Sequence, residues 1–250
     1  TKDPTAYPKA DPENPPKRAN WWHGGGEFTQ MVSSFYAYLE GRFNLRAQRF
    51  LREELGVRAM LTGQNHGPYV SPLQEMHETT CDYVDKHFYV DHPSFIGKRW
   101  SLPSRLYNKN YVREANNPVD NMGYSRLWSK PFVVSEYNFC GPNEFRAVGG
   151  ALTGAMAAIQ GWGALWRFAY AHTRERIARD SQIPTTFDAA SDALGQSSDR
   201  VAMMLYLRGD LAPAAEAVAI DLDDAALLIH PRVIEPIQKL KVETLGKDGV

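Results

Sequence analysis

The feature that most constrains this chain is an alternation: short β-prone apolar runs are separated by stretches whose apolar residues recur at helical spacing. Phe28, Met31, Val32, Phe35, Leu39, Phe43, Phe50 and Leu55 follow that spacing and Gly56 supplies a stop. A helix from Glu27 is therefore expected to feed a short strand, "VRAMLT", at 57 to 62. Three further runs read as strands: "DYVDKHFYV" (82 to 90), "PFVVSE" (131 to 136) and "WGALWRF" (162 to 168). Between the last two, Phe145, Val148, Leu152, Met156 and Ile159 form one stripe of a helix over 144 to 160. Its Gly149, Gly150 and Gly154 permit close packing on a sheet. Another helix is expected to close at Gly209.

Strands alternating with helices specify an α/β fold with a parallel sheet and helical crossovers. Four such units fit half of an eight-stranded (β/α) barrel of the TIM type, whose working face is built from loops at the carboxyl ends of the strands. The long stretch from Asp91 to Lys130 suits that plan. No glycine-rich phosphate fingerprint follows any strand, so nothing supports a nucleotide-binding doubly wound sheet. The expected organisation is a Pro-rich loop over 1–26, the α/β unit over 27–212, and the start of a β-rich unit over 213–250, with "EAVAIDL" and "AALLIHP" as its strands.

Bulk properties exclude some partners. Of the 250 residues, 43% are hydrophobic, enough for one large domain or two small ones. The 28 basic and 29 acidic side chains leave a net charge of −1, so no overall field draws nucleic acid or an anionic membrane surface, and neutral partners are expected. No apolar run reaches membrane-spanning length, so no membrane insertion is expected. The opening "TKDPTAYPKADPENPP" has neither the basic end nor the apolar core of a signal peptide. Compartment stays open, with secretion or a periplasmic location conditional on an upstream leader, and oligomeric state stays open too. Cys81 and Cys140 allow at most one bridge, and no Cys/His spacing matches a zinc site.

The chemistry gathers at strand ends. Strand parity puts Phe132, Val134 and Glu136 on one face, so a carboxylate is expected at the mouth of the sheet, partly desolvated and able to reach a ligand. On the preceding strand Tyr83, Asp85, His87 and Tyr89 share a face, which sets an imidazole and a phenol side by side at its carboxyl end. On the last strand Trp162, Ala164, Trp166 and Phe168 share a face, placing Trp166 near the mouth, with Tyr170 beyond it. There an indole is either core packing or a flat platform for a sugar ring. The run after residue 62 adds Asn65 and His66 at the same end.

"FLREELGVRAMLTGQN", "DYVDKHFYVDHP", "KPFVVSEYN" and "GWGALWRFAY" occur in that order. Over about residues 27 to 212 they resemble the carboxyl-terminal half of the retaining glycoside hydrolases of the TIM-barrel clan that includes β-galactosidases, β-agarases and endoglucanases. The resemblance implies hydrolysis of a β-linked oligo- or polysaccharide without metal or other cofactor. It implies Glu136 as nucleophile and His87, Tyr89 and Trp166 as substrate-binding groups, and Asn65 and His66, placed at the same end by the strand at 57 to 62, are expected to join them. It also exposes a departure. The clan's acid/base glutamate follows an asparagine at the end of the fourth strand, and no such pair follows an apolar strand before residue 57. The Asn143-Glu144 pair comes after the nucleophile strand and reads as the first turn of a helix. The chain is thus expected to begin past the acid/base, to hydrolyse no glycoside alone and, with two open sheet edges, to self-associate.

Two alternatives come from other classes. A metal-dependent barrel hydrolase would use His66, His87, His92 and Glu136, without the paired-histidine spacing such sites favour. A non-catalytic carbohydrate-binding protein would present Trp21, Trp22, Trp100 and Trp166 as a sugar platform.

Overall fold

The computed structural model describes residues 27–66, 71–113, 119–178 and 186–217. The expected amino-terminal loop with Trp21 and Trp22, and all but the first residues of the expected β-rich unit, lie outside the described residues. The fold is mixed α/β with a parallel sheet.

The first helix, α1 (Glu27–Arg49), runs on through a wider turn at Phe50–Glu54 and ends at Gly56, whose φ of 66° only glycine adopts without strain. It packs on α2 (Ser71–Thr80), an element the periodicity did not single out, around Ala37, Leu73 and Met76. Buried Asn44 donates to Thr80 Oγ1 (3.3 Å) across this contact. The outer face of α1 leaves Phe35, Leu39 and Phe43 exposed at steps of four, an apolar stripe uncovered by any described residue.

The expected strand at 57 to 62 does not form. Side chains take the hydrogen bonds a ladder would use: Arg52 Nη1 donates to Val57 O (2.8 Å) and Ala59 O (2.6 Å), and Asp82 Oδ2 accepts from Leu61 N (2.7 Å). Arg52 and Asp82 are themselves paired at 2.7 Å, so one ion pair staples the segment beside the sheet without making it a strand.

The run at 82 to 90 divides into β1 (Val84–Asp85) and β2 (Phe88–Val90), both parallel to β5 (Phe132–Phe139). On the other side of β5 lies β6 (Ala164–Arg167), also parallel. The stretch from 91 to 130 holds a two-stranded antiparallel ribbon, β3 (Ser94–Phe95) with β4 (Ser104–Arg105), and a 3₁₀ turn at Asp120–Ser125. Buried Asn143 anchors that stretch, donating to Lys109 O (3.1 Å) and to Asp91.

One face of the sheet is dry. Val84, Phe88, Val90, Phe132, Val134, Tyr137 and Phe139 form its core with Ala157 and Trp162, against Val148, Leu152 and Met156 of α3 (Val148–Ile159). Residues 144 to 147 precede α3 as turns, so the helix is shorter than its stripe, and Phe145 and Ile159 at the stripe's ends are exposed. The glycines of α3 serve two partners. A Cβ on Gly149 would meet the Phe139 ring at 2.5 Å. One on Gly150 would overlap Ser198 O, and one on Gly154 would meet Ala202 Cα at 2.6 Å. Ser198 and Ala202 belong to α5 (Ala193–Ala202), so the expected packing on the sheet holds for Gly149 and the other two seat a second helix. Past α5 a wider turn, Met203–Leu207, leads to Gly209 at φ 79°, the expected stop. A short helix, α4 (Arg174–Ala178), follows β6. No helix among the described residues is long and apolar enough to cross a membrane.

Candidate active site

The site lies on the opposite face of the same sheet, and a register shift in β5 creates it. Val84 and Asp85 pair with Phe132 and Val133, yet Phe88 pairs with Tyr137; across the other edge Val134 pairs with Leu165, yet Tyr137 pairs with Arg167. Both neighbours therefore see one extra residue at Ser135–Glu136, a β-bulge. The core face changes from Phe132 and Val134 to Tyr137 and Phe139 across it. This corrects the parity expectation for β5: Glu136 does not share the face of Phe132 and Val134, and the bulge turns it to the polar side.

The parity of the 82 to 90 run holds, and Asp85, His87 and Tyr89 meet Ser135 and Glu136 there. Asp85, with a side chain 8% exposed, fixes the bulge: Oδ1 accepts from Ser135 N (2.9 Å) and Oδ2 from the Ser135 hydroxyl (2.5 Å). His87 Nε2 lies 2.7 Å from Ser135 Oγ. The hydroxyl proton is directed to Asp85, so Nε2–H donates to Oγ, and in the neutral ring Nδ1 is left as an acceptor for the Asn65 amide at 3.3 Å. Nδ1 also lies 3.2 Å from Glu136 Oε2, and on protonation of the ring that pair becomes ionic.

Tyr89 donates its hydroxyl to Glu136 Oε2 at 2.5 Å. Burial, then the hydrogen bond and the charge of Glu136, push the phenol well above its ordinary range, so it stays a donor. Glu136 is 35% exposed, and Oε1 has no partner among the described residues. Behind it, fully buried Asn138 holds the chain beyond β6, donating to Phe187 O (2.8 Å) and Phe168 O.

The remaining expected residues divide. Asn65 belongs to the network through its contacts to His87. His66 is exposed, forms a single antiparallel bridge with Lys86, and lines an open cleft of about 530 Å³ with Glu40, Gln64, Asn65 and Asp85. Trp166 is 54% exposed. Its neighbours Leu165 and Arg167 engage the core and Asp199 of α5, so it stands on the polar side of the sheet and is not core packing. Glu144 is exposed in the turns before α3, where Asn108 Oδ1 accepts from its N–H. For the metal alternative, no three of His, Cys, Asp and Glu among the described residues converge in a group that could hold an ion. Sequence reading placed Asp85 on the right face but gave it no task, and it missed Ser135, whose signal was adjacency to Glu136.

The class that fold and site define is a parallel α/β sheet carrying a tyrosine-bound glutamate at a bulge within its central strand, three residues before the strand ends rather than at the expected last position. Compared with protein-family models, curated proteins and solved structures, the chain matches none.

Proposed function

We propose that this chain carries the nucleophile side of a retaining glycosidase site for β-linked sugars, on a sheet of the TIM-barrel type. The observation that carries the reading is Glu136 itself. One carboxylate oxygen is held by Tyr89 with His87 beside it, the other has no partner among the described residues, and the group is partly open to solvent at the bulge of β5. Oε1 attacks the anomeric carbon, a C–O bond forms, and the bond to the leaving oxygen breaks with its electron pair on that oxygen. Water then displaces the glutamate from the sugar. Tyr89 holds Oε2 throughout and favours the carboxylate as leaving group, while Trp166 offers a ring to the apolar face of a sugar. The acid/base is not Asp85, because both its oxygens accept from Ser135. It is a further carboxyl about 5–5.5 Å from Glu136.

A dinitrophenyl glycoside whose hydroxyl next to the anomeric carbon is replaced by fluorine tests this directly, since its leaving group needs no acid. Glucosyl, galactosyl and mannosyl forms are incubated with the protein, which is digested and analysed by mass spectrometry. The expected result is a fluoroglycosyl adduct on Glu136, absent in Glu136→Gln. An adduct on another residue, or none with all three sugars, overturns the assignment, and sugar binding without an adduct favours the non-catalytic alternative.

One geometric feature favours a second reading. Ser135 Oγ, His87 and Glu136 follow the order of a hydrolytic serine relay, with His87 2.7 Å from the hydroxyl and 3.2 Å from the carboxylate. The proton polarity opposes it, since Ser135 donates to Asp85 and His87 Nε2 carries the proton a general base would have to lack. Labelling of Ser135 by a fluorophosphonate would reverse that judgement.

A further inference from the structure

The ring of Tyr89 does more than bond Glu136: it opens onto an aromatic wall that the mechanism above leaves unused. Its centroid lies 5.6 Å from Phe187 and 6.2 Å from Phe168, both edge-on. Phe168 and Phe187 in turn meet the imidazole of His172 at 5.3 and 6.3 Å. The wall is held in place by backbone bonds. Ala169 N donates to Phe187 O (3.1 Å), Ala189 N to Ala169 O (3.0 Å) and Ala190 N to Tyr170 O (2.8 Å), while Asn138 clamps Phe168 and Phe187 from below.

At the far end of this wall His172 Nδ1 bonds the carboxylate of Asp188. The two are unequal: the Asp188 side chain is 2% exposed and that of His172 is 44% exposed. A buried carboxylate accepts Nδ1–H and fixes the ring, so Nε2 is the ring atom left for a ligand among the described residues. Such a pair differs from a surface ion pair, because its exposed end is oriented by a buried one and flanked by the Phe168 and Phe187 rings. A fixed polar tip set in an aromatic surround is the pattern that binds a sugar, whose C–H faces meet rings while a hydroxyl meets the tip.

We propose that His172, oriented by Asp188, is a hydroxyl-binding subsite for the sugar unit next to the one Glu136 attacks, so that the ligand is an uncharged β-linked oligosaccharide. The inference rests on the carbohydrate reading of Glu136. Among the described residues, His172 meets Tyr89 through Phe168 and Phe187, which places it beside a neighbouring unit rather than the unit held at Glu136. Asp188 is a positioning residue, because it acts on the ligand only through the imidazole.

The test is calorimetric titration of the protein with tetrasaccharides of β-linked glucose, galactose and mannose, using wild type, His172→Ala and His172→Gln. Wild type is expected to bind one of them, and His172→Ala to bind it about tenfold more weakly, the loss of one hydrogen bond in a partly desolvated site. His172→Gln should recover part of that loss, since its amide oxygen can accept from the same hydroxyl. Thermal unfolding of each variant checks that the fold is intact. If wild type binds a tetrasaccharide and His172→Ala binds it equally well, the subsite is wrong and the reading of Glu136 is untouched. If wild type binds none of the three, the carbohydrate reading falls and this inference with it, and the Glu136 adduct gives an independent readout of that reading.

Discussion

The two faces of β5 are built from the same eight residues and do opposite work. Toward α3, Phe132, Val134, Tyr137 and Phe139 are each no more than 5% exposed, and together they form a continuous apolar layer. Away from α3, Ser135 and Glu136 are partly open and every polar contact described at the site gathers there. The difference shows how stability and chemistry share a strand. The apolar face tolerates little change of volume, and the rigidity it provides keeps a carboxylate aimed at solvent on the other.

That division is sharpest in a reciprocal pair of substitutions. Glu136→Gln should slow release of dinitrophenolate in the glycosylation step with the activated fluoroglycoside roughly ten-thousandfold while moving the unfolding midpoint little, because an amide keeps the shape and loses the nucleophile. Phe132→Ala should do the reverse, costing about 3 kcal/mol or more in urea unfolding, since its ring is 1% exposed and lies 5.4 Å from that of Trp162. Loss of stability by the first variant comparable to that of the second would show that the faces are not separable.

Lys86 marks the boundary between the faces. Burial lowers its amine to about 8, and its described hydrogen bond is to Ser125. An amine lowered on folding binds fewer protons in the native state than in the unfolded one between about pH 8 and its ordinary value. Its cost is therefore complete below pH 8 and relieved as pH rises through that window. The side chain keeps some exposure, so the expected cost is about 1–2 kcal/mol after discounting for solvent. Lys86→Met should be more stable than wild type by that amount at pH 7, and the gap should close above pH 8. The difference between the two proteins isolates Lys86 from the other groups of the chain. A constant gap would assign the effect to packing alone.

The smallest effect is expected at Trp166, which touches neither reacting group. Trp166→Ala should weaken sugar binding and lower the rate severalfold, on the order of 1 kcal/mol, with unfolding nearly unchanged because the ring is 54% exposed. A large loss of stability with unaltered kinetics would return this residue to the core.

Much of this was legible in the sequence wherever neighbours along the chain decide the outcome. The helix from Glu27, the stops at Gly56 and Gly209, and the shared face of Asp85, His87 and Tyr89 all follow from local periodicity and from the backbone freedom of glycine. The parallel sheet follows from the order of strands and helices. The segment from 57 to 62 was misread because its apolar pattern says nothing about Arg52 and Asp82, which take its hydrogen bonds.

The orientation of Glu136 belongs to the tertiary structure. Period-two parity points it into the core face, and a single extra residue in the strand reverses that. The bulge is held by Asp85, fifty residues earlier in the chain, through the N–H and hydroxyl of Ser135. His172 and Asp188 likewise meet because the segments beyond β6 are tied to each other by backbone bonds and to Asn138. The sequence by itself determined the parallel order of the strands and which polar side chains they carry. Their directions were decided by hydrogen bonds between distant segments, for which a one-dimensional pattern carries no term.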